Sequence, residues 1–467
     1  MSFYIFYVLF VSYVKTVKSF LELQIKSIAL LFFFFYYAFY KKQTPLIHGE
    51  GVIIMRKTII KRIGLFAGYV TLAAALTACT STSGNSSTST SSSDSSSSTT
   101  TDTSSDSTSD TSGVTEVNST DVFTDRDLEQ TISDRESTTV TLTSGEDTTI
   151  TEEGVYVISG DYTDTTIIVD TDDEAKVQIV LDGVTIENTD SPAIYVKNAD
   201  KVFVTTTDSE NSLSVTGTFT ADGETNLDAV IFAKSNLVLN GTGTLTINST
   251  EKNAVSSKDA LKVTGGTYNI TAGNKGLEAK DYIAITDSTI TIDSVGDGIN
   301  ANDSQDDSKG AIYIADGAIN ITTESDAIQA TTTLIIDGGT INVSTCTEAL
   351  ESTYIEINGG SIDIYATDDG INSTSKSTEY DASTVINGGE LTIEMGAGDT
   401  DAIDSNGSII INGGTVTITA NSPFDYDTTG EINGGTITVN GETVTEMTNQ
   451  FGGGMGGQGG RGGKGAW

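Results

Sequence analysis

A short acidic pattern repeats through the middle of this chain and limits the folds that it can adopt. A carboxylate, a small residue and an aliphatic residue stand together in DGINA, which begins at Asp297, and the same order returns as DAIQA, EALES, DGINS and DAIDS. Successive copies are separated by about 22 residues, or by that interval plus a short insertion. Such a period is typical of solenoids, in which each repeat stacks on its neighbours.

The residues within one repeat predict short β-strands. Segments such as LIIDGGTINVST and IEINGGSIDIYA alternate apolar with polar residues, are rich in β-branched side chains and contain Gly-Gly turns. Three short strands per repeat predict an all-β fold, a right-handed parallel β-helix with rungs of about 22 residues. We expect the regular β-helix over residues 191–443, preceded by an N-terminal β cap and the first coils over 121–190.

The two ends of the chain predict targeting and flexible segments. A second start at Met55 opens MRKTIIKRIGLFAGYVTLAAALTAC, where a basic stretch, an apolar stretch and small residues form a lipoprotein signal peptide over 55–78. Residues 1–54 are therefore predicted not to be translated, and Cys79 is predicted to carry the lipid. The Ser/Thr-rich segment 79–120 and the Gly-rich segment 444–467 are predicted to be a disordered tether and a disordered tail.

These segments predict a protein at the extracellular face of the bacterial cell membrane, in contact with that membrane only through its lipid. With 24 Lys and Arg against 64 Asp and Glu, the net charge of −40 argues against nucleic acid as a partner. The single histidine, His48, precedes the predicted start, and Cys346 is the one cysteine besides Cys79. Transition-metal sites and histidine-based catalysis are therefore not expected.

The repeated acids predict two parallel columns of oxygen-bearing side chains along one edge of the coil. If the aliphatic residue of each repeat points inward, the next residue points outward, and neighbouring rungs lie about 4.8 Å apart. Carboxylates at that spacing repel unless water or a cation compensates them, and a ligand set of oxygens alone suits calcium. Alternatively, these residues only cap turns of the backbone. The predicted calcium ligands are Asp297, Asn300, Asp326, Glu348, Glu351, Asp369, Asn372, Asp401 and Asp404.

The segments KVQIVLDGVTIEN, PAIYVKNADKVFVT and SKDALKVTGGTYNITA, together with the acidic rungs, resemble the clostridial carbohydrate-binding domain family over about residues 140–443. The resemblance implies a secreted, calcium-binding, pectate-lyase-like parallel β-helix that binds plant polysaccharides and acidic sugars. It also implies that the ligands come from the acid-bearing rungs, here Asp297, Asp326, Asp369 and Asp401. The chain departs from the family pattern at 253–255 and 275–277, where Asn or Lys replaces the acid.

Three functions follow as hypotheses. The first is binding of a plant cell-wall or other acidic polysaccharide without catalysis, since bound calcium lets an acidic protein attract an acidic polymer. The candidates for stacking on sugars are Tyr282, Tyr313, Tyr354 and Tyr365, and the alternative for each is packing at the edge of a rung. The second is a calcium-dependent polysaccharide lyase of the pectate type, which needs a basic residue such as Lys275 or Lys280. The third is a passive surface spacer or adhesin.

Overall fold

The computed structural model describes residues 122–132, 136–398 and 400–449, which form 36 β-strands joined by turns. A helix long and apolar enough to cross a membrane does not occur among them. The predicted untranslated segment, signal peptide, lipidation site and tether lie outside the described residues, as does most of the glycine tail.

Nearly all strands pair in parallel with the strand one coil away, and they form one sheet of 12 strands and one of 24 strands. The 12-stranded sheet is called sheet 1, and the two faces of the 24-stranded sheet are called sheets 2 and 3. Sheet 1 consists of β2 (Thr148–Ile150), β4 (Ile167–Asp170), β6 (Ile194–Asn198), β9 (Ala229–Ala233), β12 (Asn253–Ser257), β15 (Leu277–Ala279), β18 (Ile299–Ala301), β21 (Ile328–Ala330), β24 (Leu350–Ser352), β27 (Asp369–Ser373), β30 (Asp401–Ser405) and β33 (Ser422–Tyr426).

Sheet 2 follows sheet 1 along the chain within each coil. It consists of β1 (Ser137–Val140), the first halves of β3 (Gly154–Thr163) and β5 (Lys176–Asn188), β7 (Lys201–Thr206), β10 (Asn236–Gly241), β13 (Leu261–Val263), β16 (Tyr282–Ile285), β19 (Ala311–Ile314), β22 (Thr333–Ile336), β25 (Tyr354–Ile357), β28 (Ser383–Ile386), β31 (Ser408–Ile411) and β34 (Thr429–Ile432).

Sheet 3 completes each coil. It consists of the second halves of β3 and β5, β8 (Glu210–Val215), β11 (Thr244–Ser249), β14 (Thr267–Ala272), β17 (Thr289–Ser294), β20 (Ala318–Thr323), β23 (Thr340–Thr345), β26 (Ser361–Ala366), β29 (Glu390–Met395), β32 (Thr415–Thr419), β35 (Thr436–Val439) and β36 (Glu442–Val444). The last of these pairs antiparallel with β35.

The observed pairing confirms the predicted parallel β-helix. Neighbouring coils align the same position of each repeat, so that Ile299 lies beside Ile328 and Leu350 beside Ile371. Coiling already begins at β1, before the regular repeat of the sequence. In these first coils β3 and β5 run through sheets 2 and 3 without a turn between them, with a shift of register between Ile158 and Gly160.

Stacked aliphatic side chains fill the interior. Ile299, Ile328 and Ile371 are all 0% exposed, and full burial of one such side chain stabilises the fold by roughly 1.5–3 kcal/mol. The residue before each of them must be small because the backbone of the next coil lies close. A Cβ atom at Gly298 would lie 2.7 Å from the carbonyl oxygen of Ala327. Cys346 also lies within this core.

The corners of the coil differ in how much variation they allow. Between sheets 2 and 3 the turns are short, with glycines such as Gly339 at φ +92° and Gly360 at φ +91°. At the same corner the side-chain amides stack, since Asn387 donates to Asn358 at 2.8 Å and Asn412 donates to Asn387 at 2.8 Å. Longer connections occur at the other two corners, with 302–310 and 374–382 between sheets 1 and 2 and 216–228 between sheets 3 and 1.

Residues 122–132 form a strap that runs lengthwise over the outer face of sheet 2. Its end at Thr131 accepts a hydrogen bond from Gln178 on β5, and its other end packs on later coils through Val122 and Phe123. The partners of Val122 and Phe123 include Tyr313 on β19. The strap therefore lies along the side of the coil, while the region 121–190 was predicted to cap its end as well as form its first turns.

A buried carboxylate fixes the strap to the sheet. Asp127 is 0% exposed, and its two oxygens accept Lys201 at 2.8 Å and Lys262 at 2.7 Å. Although burial alone would raise the pKa of Asp127, its bonds to the two ammonium groups hold that pKa below the ordinary value. The backbone carbonyl of Asp127 also accepts the Thr264 hydroxyl, and Arg126 lies over the ring of Phe203 at 4.5 Å.

Candidate functional site

The predicted ligands form a continuous column on the outer face of sheet 1. The residue after each buried aliphatic side chain pairs with its counterpart one coil away, as predicted from strand alternation. We call this set the acidic column: Glu278, Asn300, Gln329, Glu351, Asn372, Asp404 and Asp425, with the preceding acids Asp297, Asp326, Glu348, Asp369 and Asp401 beside them.

Three carboxylates converge in the middle of the column. Oxygen atoms of Asp326, Glu348 and Glu351, the central cluster, all lie within 4.8 Å of one another. Among the described residues this is the one group of three or more acids, cysteines or histidines that close together. The Gln329 amide donates to Asp326 at 2.8 Å and to Glu351 at 2.6 Å, and Asn372 donates to Glu348 at 3.1 Å.

These amide bonds do not compensate the negative charge of the central cluster. Burial, together with repulsion by Glu351 and Asp326, raises the pKa of Glu348 to about 8. Burial and repulsion by Glu351 and Asp297 likewise raise the pKa of Asp326 to about 7. At neutral pH the central cluster therefore needs either protons or a cation.

The donor atoms of the central cluster fit calcium. Three carboxylates can supply six oxygens, and calcium takes 6–8 oxygen ligands in flexible geometry. A further donor is at hand, because the side-chain oxygen of Asn372 is buried and has no hydrogen-bond partner. Unpartnered buried acceptors are uncommon and call for an explanation such as an ion or water. Histidine is absent from the cluster, which disfavours transition metals.

The C-terminal part of the acidic column continues the same chemistry. Burial and repulsion by Asp404 raise the pKa of Asp369 to about 7, and burial and repulsion by Asp425 raise the pKa of Asp404 to about 6. The backbone N–H of Asp401 donates to Asp369 at 3.4 Å. The sequence prediction missed Asp425, because Pro423 and Phe424 replace the small and aliphatic residues of its repeat, although its spacing from Asp404 was a usable signal.

Lysines neutralise the N-terminal part of the acidic column. The Lys275 ammonium lies 2.8 Å from Asn300, 3.4 Å from Glu278 and 3.7 Å from Asp297. Burial alone would raise the pKa of Glu278, but Lys258 and Lys275 lower it below its ordinary range. Lys275 stands where later repeats have an acid, and its ammonium and that of Lys258 are cations of this stretch.

Two of the predicted calcium ligands are thereby committed to protein partners. Asn300 is 0% exposed, accepts Lys275, and donates both to Asp297 and to Gln329 at 2.8 and 2.7 Å. Asp297 also accepts the Ser325 hydroxyl at 2.7 Å. These contacts place Asn300 and Asp297 in a hydrogen-bonded network around an ammonium rather than around a free set of oxygens.

The two lysines suggested for a lyase do not pair with the central cluster. Lys275 is held as described above, and Lys280 forms an ion pair with Asp303 at 3.4 Å. The lysine that does reach the central cluster is Lys376, whose ammonium lies 2.7 Å from Glu351. Sequence reasoning missed Lys376 because it belongs to a long connection outside the repeat.

The strap covers two of the four predicted sugar-stacking tyrosines. Tyr313 is 4% exposed, with its ring 6.3 Å from that of Phe123. Tyr282 is half-buried in the same apolar group. Tyr313 is therefore a packing residue, and no face of its ring is open to a sugar.

The other two tyrosines are more accessible. Tyr354 is half-buried and stacks on Tyr380, with ring centroids 6.0 Å apart and planes 27° apart. Tyr365 lies on the outer face of sheet 3 and is 38% exposed. Of the four, Tyr365 is the one that stands among the exposed large apolar side chains.

A family model described as "Carbohydrate-binding domain-containing protein" matches residues 144–400, which is more than half of the chain. The chain belongs to this family. Carbohydrate binding is the general function that membership of this carbohydrate-binding domain family carries, and the match includes the whole of the central cluster.

Two individual proteins are similar to this member of the family. A carbohydrate-binding domain-containing protein of Acetivibrio thermocellus is 35% identical over 126 residues, which is 26% of this chain and 44% of that relative. This chain thus matches less than half the length of that relative. A solved structure, described as that of the polysaccharide lyase-like protein from C. thermocellum in a gadolinium derivative, is 27% identical. It covers 48% of this chain and 92% of its own, with a TM-score of 0.43.

Proposed function

We propose that this protein binds acidic polysaccharide of the plant cell-wall type through calcium held on the acidic column, and that it does so without catalysis. The observation that carries the proposal is the central cluster, where three carboxylates approach within 4.8 Å and the Asn372 oxygen lacks a partner. A chain of net charge −40 repels an acidic polymer. Bound calcium reverses the local charge and accepts a sugar carboxylate as a further ligand.

The residues of the acidic column would have different roles in holding the ion. Asp326, Glu348 and Glu351 would hold the ion, while Gln329 and Asn372 orient those carboxylates through their amide hydrogen bonds. The acids of later coils, which step by about 4.8 Å, extend the row of ligands toward the C-terminal end. A repeating polymer with one carboxylate per sugar is the kind of ligand that such a row suits.

We place the protein at the extracellular face of the bacterial membrane, held by a lipid on Cys79. The support is the signal-peptide pattern of residues 55–78 and the cysteine directly after it. We expect the mature protein to begin at a lipid-modified Cys79. The mass of the mature N-terminal peptide measures this, and an unmodified peptide, or one from residues 1–54, would contradict the placement.

Calorimetry on the mature chain without its lipid tests the binding function. We expect polygalacturonate to bind in the presence of calcium and to lose at least about tenfold in affinity when a chelator is added, because the cation bridges two negative partners. The triple variant Asp326→Asn, Glu348→Gln, Glu351→Gln should bind as weakly with calcium as the wild type does with the chelator.

A matched control separates the site from overall charge. Asp293→Asn, Asp363→Asn and Glu394→Gln remove the same number of charges from the exposed outer face of sheet 3. Binding should persist in this control. If it falls as far as in the first variant, or if wild-type binding survives the chelator, the acidic column is not the polysaccharide site.

The same samples distinguish the alternative functions. A pectate-type lyase would form an unsaturated product that absorbs in the near ultraviolet, and it would lose this activity on substitution of its basic residue. The ion pairs of Lys275 and Lys280 give no support to either lysine as that base. A spacer or adhesin would show neither product nor calcium-dependent binding.

A further inference from the structure

The connection 374–382 carries a cation into the central cluster. Lys376 lies in this connection, outside any strand, and its ammonium is 2.7 Å from the Glu351 carboxylate. Its side chain is 27% exposed, while that of Glu351 is 8% exposed. The contact between Lys376 and Glu351 is therefore largely shielded from solvent.

A buried hydroxyl fixes the backbone at Lys376. The Thr353 side chain accepts the N–H groups of Lys376 at 3.1 Å and Ser377 at 2.9 Å. The Thr353 hydroxyl itself donates to the carbonyl of Thr331 at 2.8 Å, and Thr353 is 0% exposed. The two hydrogen bonds that this hydroxyl accepts thus hold the start of the connection, and the one that it donates fixes the hydroxyl itself.

Three hydrogen bonds and one ring contact hold the rest of the connection. The Ser377 hydroxyl donates to the carbonyl of Asp307 at 2.6 Å, and Thr378 donates its N–H and hydroxyl to the Asp307 carboxylate at 3.3 and 3.0 Å. Tyr380 stacks on Tyr354. Because Asp307 belongs to the other long connection, the two insertions brace each other beside the acidic column.

We infer that Lys376 is a tethered cation that competes with the bound metal for Glu351 and sets the preference of the site for the charge of the ion. The inference rests on the calcium site of the proposed function. Three ionised carboxylates and one ammonium carry a net charge of −2, which one divalent ion balances. Repulsion between the ammonium and the metal grows in proportion to the charge of the metal. Lys376 therefore weakens the binding of trivalent ions more than the binding of divalent ions.

Metal titrations of the mature chain and its Lys376→Met variant test this role. Methionine keeps an unbranched apolar stem of similar length and removes the charge. We expect calcium affinity to rise about tenfold, which is about 1.4 kcal/mol. Lanthanum affinity should rise about thirtyfold, because a charge of three instead of two multiplies the released repulsion by 1.5. Calorimetry with calcium chloride and with lanthanum chloride measures both.

The controls separate charge from loop structure. Lys376→Arg keeps the charge and should leave both affinities within about threefold of the wild type. Lys280→Met removes a lysine that pairs with Asp303, outside the central cluster, and should change neither. Equal changes for the two ions, no change, or weaker binding of both in Lys376→Met would overturn the role of Lys376. If the wild type binds neither ion, the proposed calcium site itself fails.

Discussion

In the absence of divalent cations, the protein is expected to lose about 3–6 kcal/mol of stability as the pH rises from about 4 to about 8. The folded pKa values of Glu348, Asp326, Asp369 and Asp404 lie at about 8, 7, 7 and 6, above ordinary values of 4.5 for Glu and 3.8 for Asp. Between those limits the folded state binds more protons than the unfolded state, so the free energy of unfolding falls with rising pH. A difference of one pKa unit between the folded and unfolded states corresponds to about 1.4 kcal/mol. Because these carboxylates are partly exposed, solvent screens their repulsion, and the expected loss of stability is smaller than the sum of the four contributions.

Urea unfolding at a series of pH values, with a chelator and again with calcium, measures this effect. Calcium favours the ionised carboxylates, so it should flatten the profile and restore stability at pH 8. Without calcium, the triple variant of the central cluster should show a shallower dependence of stability on pH, because Asp326 and Glu348 no longer titrate. The profile should not become flat, because Asp369 and Asp404 still do. A profile that is flat in the chelator would mean that water compensates the acidic column, as it does for turn residues on an ordinary surface.

The variant Asp127→Ala is expected to lower the free energy of unfolding by about 3–5 kcal/mol. Removing one member of a buried charge network leaves the others uncompensated. Here Lys262 would keep its ammonium in a site where its side chain is 7% exposed, and Lys201 in one where its side chain is 14% exposed. The strap would also lose its main anchor, which exposes the apolar surface beneath it, including Phe203 and Tyr313. Urea unfolding and limited proteolysis between residues 122 and 132 measure the two consequences.

A surface ion pair provides the comparison. Lys176 and Asp200 are 2.9 Å apart, but their side chains are 41% and 40% exposed. Asp200→Ala should therefore change stability by less than about 1 kcal/mol. A loss of similar size in both variants would mean that the Asp127 network is screened by water, and unchanged proteolysis would mean that the strap stays in place without it.

The repeat in the sequence was enough to predict the architecture and the acidic column. A period-2 strand and a fixed interval between repeats determine which side chains stack, so the register of Glu351 with Asn372 followed from counting. The sequence also indicated that the repeat at Lys275 departs from the others. It did not indicate that the Lys275 ammonium would satisfy Glu278 and Asp297.

Other features were beyond sequence reasoning because they join residues that no local pattern links. The partners of Asp127 lie 74 and 135 positions away. The bond between Thr378 and Asp307 joins two insertions, 71 positions apart, neither of which follows the repeat. Lys376 lies in one of these insertions, so the ammonium that contacts the central cluster could not be read from the repeated motif.

The position of the strap has a consequence for the order in which the molecule assembles. Lys262 and Tyr313 follow the strap by well over one hundred residues, and both belong to coils that must exist before the strap has a surface to pack on. The segment that a ribosome makes first among the described residues therefore finds its full packing surface only after the coils through β19 have formed. Until the strap packs, Lys201 and Lys262 lack their carboxylate partner. Packing of the strap therefore requires that several coils have already stacked in the correct register.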